Sequence, residues 1–317
     1  MSVRLIHVLG LICIGLGLVI IGAVFVSYID FEEIVGISKE ELRSSEYWGV
    51  RIQRIGGKKA YEEFATAVAK DGVSFQHEAA HTFGEALYSQ EGMDGISVCD
   101  ARFSYGCFHE FLGRAIFDKG INTVSLLNDT CIAQQDHDKT LTCQHGIGHG
   151  VLAYYGYDKN ALSRALRQCK ELPMTDKVGG CYGGVFMEYN FQTMLADDGV
   201  GRSPGNDMFA PCSELSEDYL PACVFWQPQW WLFLSAPWVY AKAEDFSLVG
   251  DYCRDFVKDP ALHHLCFRGI GNMAAPVSQY NEEIAKTYCE AASISPEEKM
   301  ACEAVAVPYA RNAVLRQ

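Results

Sequence analysis

Hydrophobic residues fall along this chain in two patterns, one continuous and one periodic. Between Leu5 and Ile29 there are 25 residues without Asp, Glu, Lys or Arg. At about 1.5 Å per residue that is enough helix to cross a hydrocarbon layer of about 30 Å, so the stretch 5–29 predicts a transmembrane helix. It exceeds the apolar region of a cleavable signal peptide, and its exit, Val26-Ser27-Tyr28-Ile29-Asp30, offers no good small-residue cleavage site. It therefore reads as an uncleaved signal-anchor. Arg4 precedes it, whereas Asp30, Glu32 and Glu33 follow, which places residues 1–4 in the cytoplasm. The expectation is a single-pass protein of the cell membrane, with its N-terminus in and an ectodomain outside.

Beyond the span the apolar positions recur at helical spacing. Ser38-Lys39-Glu40-Glu41 is a helix start signal and Gly56-Gly57 a break, so residues 30–74 predict a helical stalk. In the clearest later block, Leu162, Ala165, Leu166 and Cys169 form one stripe of a helix over about Lys159–Glu171. It follows another helix over about Cys143–Tyr155, with Gly156 and Asp158 in the turn between them. Residues 219–241 carry no charge and contain Trp226, Trp230, Trp231 and Trp238. Pro228, Pro237, Gln227 and Gln229 make this a poor second span, and it reads as aromatic core. The polar, glycine-rich segment 197–210 reads as a surface loop, and Asn128-Asp129-Thr130 is a glycosylation sequon.

Cysteines give the blocks their period. Of thirteen, Cys13 lies inside the apolar stretch. The other twelve contain no CxxC spacing, which removes zinc ribbons, thioredoxin-type motifs and c-type haem attachment and leaves disulfides, suited to an oxidising compartment. In order they group as Cys99 and Cys107, Cys131 and Cys143, Cys169 and Cys181, Cys212 and Cys223, Cys253 and Cys266, Cys289 and Cys302. The second members recur at intervals of 36, 38, 42, 43 and 36 residues, the period of helical-hairpin repeats. The text around them agrees: GCFHEFLG, TCQHGIGHG, GCYGGVFME, ACVFWQPQW, LCFRGIGNM and ACEAVAVPY, with an earlier copy, FQHEAAHTFGEALY, carrying Phe75 in place of the cysteine. The fold expected is all-α: a solenoid of about seven α/α hairpins over residues 75–317, with one disulfide per junction. Pairing in sequence joins each second helix to the next first helix. Pairing inside a hairpin, Cys107 with Cys131, would strand Cys99 and Cys302, and spacing alone does not decide between them.

The run Cys99-Asp-Ala-Arg-Phe-Ser-Tyr-Gly-Cys107, followed by Leu112-Gly113, resembles the cysteine-rich tetratricopeptide-like repeat proteins of the Helicobacter type. The resemblance covers roughly residues 75–317 and implies helical hairpins with one disulfide each, secretion, and a partner-binding role. Most units lack that family's glycine-rich inter-helix turn and carry histidine where it does not. CQHGIGHG and CYGGVFMEY look closer to uncharacterised membrane-anchored Cys/His repeat proteins of environmental archaea and bacteria.

Those histidines are the candidate chemistry. Residues two apart on a helix are about 200° apart, so positions Cys+2 and Cys+6 share the face opposite the disulfide. In three successive units these positions hold His77 and His81, His109 and Gly113, then His145 and His149. Five imidazoles on one wall suit a transition metal, Zn, Fe or Cu. His77-Glu78-Ala79-Ala80-His81 is a literal HExxH, which as a zinc protease would make Glu78 the general base and His109 or Glu110 a third ligand. His145 and His149 repeat the spacing with Gly146 in place of the glutamate, so the recurring feature is the histidine pair. Gly146, Gly148 and Gly150 each cost a helix roughly 0.8–1 kcal/mol relative to alanine, and serve either close packing or ligand access.

Charge narrows the partners. Twenty-six basic against forty acidic residues give a net −14, and no Lys/Arg cluster appears, which excludes a nucleic-acid backbone. Two functions fit: metal handling or metal-dependent catalysis at the histidines, or a metal-free scaffold gripping a protein or glycan on a concave wall.

Overall fold

Short polar side chains start the helices. Ser38, Ser44, Asp136, Asp158, Asp259 and Asn281 each accept hydrogen bonds from backbone N–H groups of the first turn that follows, filling donors that a helix cannot satisfy itself. Glycines at positive φ, Gly56, Gly120 and Gly156, end three of them. The computed structural model describes residues 36–315 except 101, 175, 196–201, 203–206 and 237–239. The expected span 5–29, Cys13 and most of the loop 197–210 lie outside the described residues.

The described residues form fourteen α-helices and no strand. In chain order these are α1 (Lys39–Leu42), α2 (Ser45–Ile55), α3 (Gly57–Val68), α4 (Val73–Glu91), α5 (Gly106–Lys119), α6 (Val124–Ile132), α7 (His137–Tyr155), α8 (Lys159–Lys170), α9 (Cys181–Leu195), α10 (Leu220–Ser235), α11 (Ala243–Phe256), α12 (Pro260–Val277), α13 (Glu282–Ala292) and α14 (Pro296–Leu315). Helices α4, α5, α7, α9, α10, α12 and α14 carry the aligned motifs, and each packs against the next in that order. Six disulfides join Cys99–Cys107, Cys131–Cys143, Cys169–Cys181, Cys212–Cys223, Cys253–Cys266 and Cys289–Cys302, with Cα separations of 5.5–5.9 Å. This is the sequential pairing. Each closes a short loop and contributes roughly 2–4 kcal/mol.

The hairpin rule fails twice. After α4 the second helix shrinks to a 3-10 segment, Gly92–Ser97, where Gly92 and Gly95 weaken helix formation. Before α10 only the 3-10 turn Cys212–Glu214, preceded by Pro211, carries the cysteine. The stretch read as a stalk holds helices α1 to α3, but they are not free-standing. Trp48 and Phe64 lie 5.4 and 5.2 Å from the ring of Phe83 on α4, and all three are buried, so this segment covers the exposed end of the first repeat helix. No helix among the described residues is long and apolar enough to cross a membrane. Helix α10, the tryptophan-rich stretch, is buried from Ala222 to Leu232, as a helix apolar on every side must be. The sequon asparagine, Asn128, is buried too: its Nδ2 donates to the Pro173 carbonyl and its Oδ1 accepts from Gln144 Nε2.

What positions the site is the closeness of the motif helices. A methyl group at Gly148 would collide with the Cys181 carbonyl oxygen on α9 and stand 2.8 Å from Val185 N, and one at Gly184 would collide with the His145 carbonyl. At Gly150 it would stand 2.9 Å from the Gly113 Cα, at Gly146 2.7 Å from Leu112 Cδ1. The glycines of CQHGIGHG therefore serve close packing, with backbone approaching backbone. Gly148→Ala should force α7 and α9 apart and lower stability by about 1–3 kcal/mol, the usual cost of overpacking. Gly113→Ala is the control, because its Cβ would meet nothing nearer than 4.0 Å, and it should gain up to about 1 kcal/mol from helix propensity. Urea unfolding of the disulfide-intact variants checks this, and equal midpoints would contradict the close contact.

Candidate metal centre

With α4, α5 and α7 side by side, the Cys+2 and Cys+6 positions meet. Ring centroids form a continuous cluster: His77–His81 at 4.7 Å, His81–His109 at 5.4 Å, His109–His149 at 4.4 Å and His145–His149 at 4.9 Å. Nitrogen atoms of His77, His81 and His109 all lie within 4.8 Å of one another, and so do those of His109, His145 and His149. The structure thus brings all five expected histidines together as two triads that share His109.

Hydrogen-bond partners fix the tautomers. The Nδ1 of His77 lies 2.8 Å from the Phe103 carbonyl oxygen, that of His145 2.8 Å from the Gly179 carbonyl oxygen, and that of His149 2.8 Å from Glu188 Oε2. Carbonyls and carboxylates only accept, so in all three rings Nδ1 carries a proton; in His77 and His145, which burial keeps neutral, Nε2 is left with a bare lone pair. His81 Nε2 stands 3.1 Å from His77 Nε2, close to the ~3.3 Å expected between two nitrogens on one tetrahedral zinc with Zn–N bonds of about 2.0–2.1 Å. His145 Nε2 has only the Met187 thioether beside it, at 3.4 Å, and His109 Nε2 and His149 Nε2 are buried with no hydrogen-bond partner. Burial, aided by the neighbouring His81, pushes His77 down to about 4, and burial likewise takes His145 to about 3. His109, fully enclosed among the other four, is held well below the ordinary histidine range. These rings are neutral at physiological pH, the form that binds metal.

Around them sits a set of orienting groups. Phe103, whose carbonyl holds His77, has a left-handed backbone at φ 57°, a conformation that costs of order 1–3 kcal/mol for a non-glycine residue. Burial alone would raise the Glu188 carboxyl, but hydrogen bonds from His149, from Tyr157 Oη at 3.1 Å and from Gln192 Nε2 at 3.1 Å outweigh it and hold the group below the usual carboxylate range. The Trp226 ring lies 5.4 Å from that of His145 and donates its Nε1–H to the Val178 carbonyl. Carboxylate–histidine pairs of this kind orient metal ligands and raise their basicity.

The two expected carboxylates are placed differently. Glu78 pairs with Arg43 at 2.6 Å and is 61% exposed, so the HExxH glutamate faces the leading helices and not the histidines. Glu110 is on the rim, 3.7 Å from His81 Nδ1 and 3.8 Å from Arg114 Nε. Sequence reasoning set Glu188 beside the histidine strip and Trp226 in the aromatic core but gave no role to Tyr157 or to Met187, although Met187 occupies Cys+6 of the fourth motif. His137 is exposed beside Asp138, and His263 pairs with Glu298 far along the chain. Of the acidic loop, Asp207 accepts from Phe209 N at 2.8 Å, while Asp197, Asp198 and Asn206 lie outside the described residues. No family model matches this chain, and no curated protein or solved structure does either.

Glu188→Ala should destabilise the protein, because it leaves the His149 Nδ1–H and the Tyr157 hydroxyl without acceptors, at about 1–3 kcal/mol each. Glu78→Ala should change stability by less than about 1 kcal/mol, as its ion pair is exposed. Thermal unfolding of the two variants checks this; equal effects would contradict the inward orientation of Glu188.

Proposed function

We propose that this protein is a membrane-tethered, extracytoplasmic α-solenoid that holds a transition metal through His77, His81, His109, His145 and His149. The observation that carries the proposal is the set of bare Nε2 lone pairs. Hydrogen bonding explains the first triad without a metal, since His81 Nε2–H can donate to His77 Nε2. It does not explain the second: the hydrogen-bond contact of His145 Nε2 is the Met187 thioether, which cannot donate, and the buried His149 Nε2 has no hydrogen-bond partner. A buried unsatisfied polar atom costs about 1–3 kcal/mol, and a bound cation would remove that cost at several atoms at once.

Six disulfides support an oxidising compartment, and the anchor at 5–29 would hold the protein at the outer face of the cell membrane. Packing of seven motif helices in succession supports the solenoid. The outward turn of Glu78 leaves the cluster without the base a HExxH protease requires, which favours metal handling over peptide hydrolysis. Among Zn, Fe and Cu, the Met187 thioether beside His145 favours copper, the softest of the three.

The full chain, purified in detergent and analysed for metal, should carry a transition metal in stoichiometric amount. Chelation should lower its melting temperature by several degrees, because an ion at a hundred times its Kd stabilises the folded state by about 2.7 kcal/mol. Absence of Zn, Fe and Cu after loading, together with an unchanged melting temperature, would overturn the proposal.

A further inference from the structure

The geometry points to two metal ions in one cluster, held by His77 and His81 on one side and His145 and His149 on the other, with the His109 imidazolate bridging them. This rests on the metal-binding function proposed above and adds the number of ions and the residue that couples them.

His109 differs from its four neighbours. Three of the others hold their Nδ1 in a hydrogen bond to an oxygen outside the cluster: the Phe103 carbonyl for His77, the Gly179 carbonyl for His145 and Glu188 for His149. That leaves Nε2 as the ligand atom of each, and His81 presents its own Nε2 to His77 Nε2 at 3.1 Å. Among the described residues His109 makes no hydrogen bond through either ring nitrogen, although it is buried and lies at the centre of the cluster. It is also the residue common to both triads. One nitrogen cannot serve two ions at bonding distance, whereas the two nitrogens of an imidazole point to opposite edges of the ring. A bridging His109 would satisfy both of its nitrogens and complete three imidazole ligands at each ion. Binding is an acid–base step with no redox change: neutral His109 gives its one ring proton to solvent, and the two N–metal bonds replace the N–H bond and the free lone pair.

Copper(II) supplies a direct test, because two Cu(II) ions joined through an imidazolate couple their unpaired spins. The full chain in detergent, stripped of metal and titrated with Cu(II), should take up two ions. Its integrated electron paramagnetic resonance intensity should then fall well below the bound copper. His77→Ala should bind one ion with intensity equal to its copper content. His109→Ala should bind copper at least tenfold more weakly, with full spin intensity, while circular dichroism before loading shows each variant folded. One ion per wild-type chain, or two ions with full spin intensity, would overturn the bridge and leave the metal-binding function standing. No uptake of copper, zinc or iron would overturn both.

Discussion

Backbone-to-backbone contact between successive motif helices is the constraint on which the rest depends. At Gly148 and Gly184 the facing chains are so close that no side-chain carbon fits between them. The same device recurs far from the histidines, where a methyl at Gly269 would strike the Phe225 carbonyl and one at Gly271 the Cys302 carbonyl. Glycine in a helix interior carries an intrinsic cost, which close packing of the helices offsets. The disulfides act along a different axis. By tying the end of one helix to the start of the next at a repeated position, they fix how far each motif helix slides past its neighbour.

Lateral closeness and axial register together determine what the Cys+2 and Cys+6 positions meet. In the first three units they meet as imidazoles; in the last three the equivalent positions carry Phe225 and Gln229, Arg268 and Asn272, then Ala304 and Pro308, without a ligand set. The buried core divides at the same place. Phe225 and Trp226 belong to the cluster that includes the first motif helices, and Val224, Trp230 and Trp231 to the cluster of the later ones, so α10 contributes to both cores and forms the boundary between them. Buried imidazole nitrogens without hydrogen-bond partners, such as His109 Nε2 and His149 Nε2, are unfavourable. The proposed metal site would remove that cost.

How much of this was legible follows from where the information lies. The cysteines repeat at short range, so their order gave the repeat, the register and the shared face of His77, His81, His109, His145 and His149, while the choice between the two disulfide schemes came from the structure. The conformations of connecting segments leave no such pattern, and it is those segments that supply the Phe103 and Gly179 carbonyls fixing two rings. Glu78 misled because HExxH describes a sequence, while its carboxylate pairs with Arg43, in the turn between α1 and α2. Spacing sets Glu188 beside the histidine strip, but its partner depends on the packing of α9 on α7, which turns it toward His149. The packing of α2 and α3 on α4 needed Trp48 and Phe64 to find Phe83, a contact between residues 19 to 35 positions apart in sequence.

The most direct measurement is anomalous diffraction from crystals of the copper-loaded protein at the copper edge. The account predicts anomalous density at the Nε2 atoms of His77, His81, His145 and His149, with His109 between. Density confined to surface carboxylates, or none within bonding distance of these nitrogens, would contradict it.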